Sequence, residues 1–78
     1  MNLDETTAAT HEQHYRTLLE IIPSDCEDRY DLASVGAWRA ILGDKPGLIA
    51  QAMRCTRQWV SKRITWLERV LAPYVDEN

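Results

Sequence analysis

The stretch from Leu48 to Leu71, LIAQAMRCTRQWVSKRITWLERVL, restricts the folding of this chain more than any other. Val60, Ile64, Leu67 and Leu71 recur at the i, i+4, i+7, i+11 spacing of one apolar stripe on an α-helix. At about 100° per residue, Gln58, Ser61, Lys62, Thr65 and Arg69 fall on the opposite side, which carries no aliphatic side chain. Ala50 stands five residues before Cys55 and ten before Val60. A small residue there lets a preceding helix cross closely, with Cys55 and Val60 filling the angle between the two. The spacing predicts a helix, a turn at Met53–Thr56 and a second, longer helix, together spanning about 46–71.

The rest of the chain reads as further helices. Residues 1–9 are small and polar without periodicity, so a flexible N-terminus is expected ahead of a single helical domain over 10–75. Tyr15, Leu18, Leu19 and Ile22 make an i, i+3, i+4, i+7 stripe, predicting a first helix from about Thr10 that ends at Pro23. Ser24 and Glu27 have the spacing of a capping box, opening a second helix or a short turn before one starting near Asp31. Tyr30, Ala33, Ala37, Trp38, Ile41 and Leu42 suit one helical face, which Gly36 weakens. Gly43 is a natural helix stop, Asp44 an expected cap for the next helix, and Pro46 is tolerated in a first turn where no donor is needed. Pro73 is expected to close the last helix, with Tyr74 and Val75 packing back before an acidic tail. No alternating strand pattern follows. The expected fold is therefore all-α, with four to five helices and no β wing.

Seventy-eight residues make one small domain, whose three Trp are expected to supply large core pieces in the absence of Phe. No run approaches the length of a membrane span, and no apolar leader follows the start, so a soluble cytoplasmic protein without a membrane partner is expected. Cys26 and Cys55 lie far apart in sequence, with Cys55 at the apolar turn position, and free thiols are expected. The net charge of −3 hides a segregation. Residues 1–36 hold eight acids against Arg16 and Arg29, net −6, whereas residues 37–78 hold seven bases against four acids, net +3. The basic half is the one with the two-helix unit.

The segment AQAMRCTRQWVSKRI resembles the helix-turn-helix of phage Cro and repressor proteins, over roughly residues 43–65. Ala50, Met53, Cys55, Thr56, Val60 and Ile64 satisfy the family's pattern, while Arg54 stands where the family usually has Gly in the turn. A non-Gly residue at that positive-φ position costs roughly 1–2 kcal/mol. The resemblance implies a sequence-specific DNA-binding regulator, repressor-like and commonly dimeric, with double-stranded DNA as partner. Its reader helix would begin near Thr56 and lie in the major groove. Carried over position by position, Thr56, Arg57, Gln58, Ser61 and Lys62 become candidate contacts. Arg57 suits guanine and Gln58 suits adenine, each worth about 1–3 kcal/mol of discrimination. Arg54, Lys62 and Arg69 would touch the phosphate backbone, adding affinity and salt dependence without sequence choice.

Three residues stand apart. Trp59, Arg63 and Trp66 lie together at the edge of the apolar stripe, with Arg63 placed to stack on either ring. Two readings stay open: a stack within one chain, or an exposed aromatic patch forming a homodimer interface. His11 and His14 lie one helical turn apart near the start of the first helix, a spacing read as a solvated face rather than a metal site. No Ser-His-Asp or Cys-His signature, glycine-rich phosphate loop or metal quartet is visible. Neither an enzyme nor a cofactor is expected. The alternative function is a phage or mobile-element protein that turns the same fold on a host protein and inhibits it, with the acidic N-terminal half as the contact surface. A third is an accessory factor in DNA packaging or recombination.

Overall fold

The structure, a computed structural model, describes residues 5–75, and for Tyr74 and Val75 the backbone only. Four helices follow one another: α1 Glu5–Ile21, α2 Arg29–Leu42, α3 Pro46–Met53 and α4 Arg57–Val75. No strand occurs among the described residues, so the fold is all-α. No helix among them is long and apolar enough to cross a membrane.

Helix α2 is the central element, packed against α1, α3 and α4. Its buried residues Leu32, Ala33, Val35, Gly36, Ala37 and Trp38 serve two core clusters. Val35 and Trp38 join Ile49 and Ala50 of α3 with Val60 and Ile64 of α4. Leu32 and Ala33 join Ile22 and Leu67, with Tyr15, Leu18 and Leu19 of α1 packed on them. The stripe at Val60, Ile64, Leu67 and Leu71 is thus divided, its first half holding α3 and its second half α1. Gly36 lies against the second cluster. A Cβ there would meet Leu18 Cδ1 at 2.6 Å and Leu67 Cδ2 at 2.9 Å, so this helical glycine permits a close approach of three helices.

Several expected boundaries move. Helix α1 begins at Glu5, five residues before Thr10, so residues 5–9 are helical. The Ser24–Glu27 capping box does not open α2. That helix starts at Arg29 after Asp28, whose φ of 58° is left-handed and whose side chain makes no cap bond. The Asp28 carboxylate instead accepts from Arg63 Nη2 at 3.3 Å. Arg29 Nη2 donates to the Leu19 carbonyl at 2.6 Å and so satisfies an open acceptor in the last turn of α1. Gly43 ends α2 at φ 86°, its N–H bonded to the Arg39 carbonyl at 2.8 Å. Lys45 rather than Asp44 precedes α3, without a side-chain cap bond, because the Asp44 carboxylate faces Arg39 at 3.5 Å. Pro46 occupies the first turn of α3 as expected. Pro73 does not stop α4, which continues to Val75. Packing by Tyr74, Val75 and the acidic tail lies outside the described residues.

Candidate functional site

The α3–α4 corner is built by backbone geometry. Arg54 closes α3 in the left-handed region, φ 57° and ψ 47°. Its N–H bonds the Gln51 carbonyl at 3.3 Å, and the Cys55 N–H bonds the Ala50 carbonyl at 3.0 Å. The residue standing where the resembled family has glycine therefore adopts a glycine-favouring conformation. Thr56 Oγ1 accepts from the Trp59 N–H at 3.1 Å, capping α4. Three residues, Arg54 to Thr56, reverse the chain. Beneath them Ala50, 5% exposed, lets α3 lie close to α4, and Ile49 and Val60 are fully buried. Cys55 is half-buried rather than buried, and both cysteines are free. Burial pushes the Cys55 thiol above its ordinary pKa, with the charge of Arg63 opposing and that of Asp31 adding to the shift.

The helix presents its expected contacts outward. Arg54, Thr56, Arg57, Gln58 and Lys62 are exposed, and Ser61 is half-buried. Arg69 is exposed too, but lies 12 residues after Arg57, about 18 Å along the axis. Among the described residues, Arg54, Arg57, Lys62 and Arg69 form no ion pair. The reason lies in the placement of the acids. Asp44 and Glu68, the described acids of the basic half, both face Arg39, at 3.5 and 3.2 Å. The cations at the α3–α4 corner are thus in no ion pair with these two acids, and the start of α4 adds the positive end of its dipole.

The aromatic residues part company. Only Trp38 enters the core, at 6% exposure; Trp59 is half-buried and Trp66 is 45% exposed, so three core tryptophans was an overestimate. The Arg63 guanidinium lies 4.2 Å from the Trp59 ring centroid and pairs with Asp28, making an intrachain stack of two members of the trio. Trp66 stands free of it, on a groove of about 160 Å³ lined also by Asp28, Leu32, Lys62 and Arg63.

His11 is not on a solvated face. Its ring centroid is 4.5 Å from that of Trp38, and its Nε2 is buried without a hydrogen-bond partner. Burial lowers its pKa from the ordinary 6.5, helped by His14 and opposed by the Ser34 backbone and Glu12. No group of three His, Cys, Asp or Glu side chains that could hold a metal ion occurs among the described residues.

The pairing of Asp28 and the exposure of Tyr30 are what sequence reasoning misses. Asp28 reaches Arg63 across 35 residues of chain, a distance no local pattern reports. Tyr30 suits one helical face with Ala33 and Trp38, yet it is 62% exposed, with the Arg29 guanidinium 5.4 Å from its ring centroid. Compared with protein-family models, with curated proteins and with solved structures, the chain matches none.

Proposed function

We propose that this protein is a sequence-specific DNA-binding transcriptional regulator of the repressor kind. In this reading α3 and α4 act as a helix-turn-helix, and the first two turns of α4 enter the major groove. The observation that carries the reading is the set of exposed, unpaired head groups at one corner: Arg54, Arg57, Gln58 and Lys62. Arg57 and Gln58 read base edges, Arg54 and Lys62 hold phosphates, and Thr56 is spent on capping α4. The α2 core under Val60 and Ile64 fixes the angle at which the helix is offered. Two copies occupy a two-fold operator and exclude or recruit polymerase there.

Selection from random duplex followed by salt-titrated binding tests this. Affinity should fall steeply with salt, and Arg57→Ala with Gln58→Ala should erase site preference while leaving non-specific binding. Lys62→Ala should weaken all sequences alike and reduce the salt slope by about 1. Absence of salt-sensitive duplex binding would remove the proposal. The host-protein reading draws on Tyr30, exposed among the acids Glu27, Asp28 and Asp31. Under it, duplex binding is absent, and substitutions around Tyr30 abolish function while those at Arg57 and Gln58 do not.

A further inference from the structure

We infer that the face shared by the start of α2 and the middle of α4 docks a second copy of this chain, reciprocally, about a two-fold axis. The inference rests on the two-copy part of the DNA-binding reading for its purpose, while its test needs no DNA. Tyr30 and Trp66 are two of the three large apolar side chains exposed among the described residues, the third being Leu48 of α3. The two adjoin through Asp28. That residue lines the groove beside Trp66 and also the one that Ser24, Cys26, Arg29, Tyr30 and Asp31 form.

The charges on this face choose the occupant. Near Tyr30 in the chain come the exposed acids Asp25, Glu27 and Asp31, none in an ion pair among the described residues and together outnumbering the Arg29 guanidinium that lies over the Tyr30 ring. Arg69, three residues after Trp66, shares its side of α4 and is in no ion pair among the described residues, while Lys62, one turn before Trp66, stays with the DNA-facing end. Acid on one flank and base on the other makes the face complementary to itself, because a two-fold axis lays each flank over its opposite.

Trp66 and Tyr30 then fill the centre, where large aromatic rings contribute most, with Leu32 as the floor. A standard contact of about 800 Å² per partner would take about one-seventh of the 5545 Å² surface. Arg69, about 10 Å beyond Lys62 along α4, belongs to this contact rather than to the groove-reading end. Docking through the later half of α4 leaves Arg57 and Gln58 of each copy at the outer ends of the pair.

Sedimentation of the full chain without DNA, over a concentration series, tests the surface. The expected result is a concentration-dependent dimer that Trp66→Ala converts to monomer, with helix content by circular dichroism unchanged. Arg69→Glu and Asp31→Lys should each weaken the dimer about tenfold, and the two together should recover most of the loss. Glu27→Lys, placed before α2 begins, repeats the acidic arm without touching that helix. A wild type that stays monomeric overturns the inference, as does a dimer indifferent to Trp66→Ala and to the charge reversals. So does a monomer whose Trp66 face binds an unrelated protein instead. A wild type that is monomeric yet binds duplex removes the interface alone, and an intact dimer that ignores DNA removes the regulator reading alone.

Discussion

Replacing Gly36 by Ala adds one methyl group where α1, α2 and α4 meet. In an exposed helix interior the change would stabilise by about 1 kcal/mol, because glycine has more backbone freedom to lose. Here the new Cβ would lie 2.6 Å from Leu18 Cδ1 and 2.9 Å from Leu67 Cδ2, both below any normal contact. Leucine ends can rotate away, but Leu67 is 2% exposed and packed with Ile22, Leu32 and Ala33. Overpacking of this kind costs typically about 1–3 kcal/mol, so the net effect is a loss of about 1 kcal/mol. For a domain of this size that is a fall of roughly 4–8 °C in Tm. The sign should reverse in a Leu18→Ala background. Leu18→Ala is itself destabilising, but it vacates the space the new methyl needs and lets Leu67 Cδ2 swing aside, so that Gly36→Ala then raises Tm. Thermal and urea unfolding followed by far-ultraviolet circular dichroism measure all four proteins of the cycle. A Gly36→Ala protein more stable than wild type, by the same increment in both backgrounds, would refute the three-helix contact.

Two further predictions concern the corner and the α1 interface. Arg54→Gly relieves a left-handed residue at φ 57° and should raise stability by up to about 1 kcal/mol, the remainder being lost to the unfolded chain's added freedom. It should also weaken duplex binding at low salt; a lower Tm would contradict the cap geometry. His11 has a folded pKa below its free value of 6.5, so the unfolded chain takes the proton first. Stability should therefore fall as pH drops from about 6.5 toward that lower folded pKa. His11→Phe, which keeps a ring against Trp38, should flatten this slope in pH-dependent thermal unfolding, and an unchanged slope would place the titration elsewhere.

Local periodicity made much of this fold legible. The repeat at Val60, Ile64, Leu67 and Leu71 reports a buried helix face wherever its partners come from, and three of those four residues are indeed among the most buried. Pro46, Gly43 and Thr56 declare helix ends because their chemistry acts within a few residues. The segregation of acids and bases was likewise plain, since charge is counted along the chain. Ser24, Asp44 and Pro73 misled because caps and breakers compete with alternatives. Asp44 was drawn to Arg39 and Asp28 to Arg63, and α4 carries Pro73 within its last turn.

The sequence by itself determined that the chain is helical, where it turns, and which side of α4 bears polar head groups. Each of these is set by interactions within about four residues. Only the tertiary structure decided that Gly36 is a crossing point, that His11 lies against Trp38, and that Trp66 is exposed while Trp59 lies beneath Arg63. It also decided which cations remain unpaired, because Arg39 and Arg63 meet acids 29 and 35 residues away. Such contacts depend on how helices cross, and helix crossing is fixed by the shape of the assembled core rather than by any repeat along one chain.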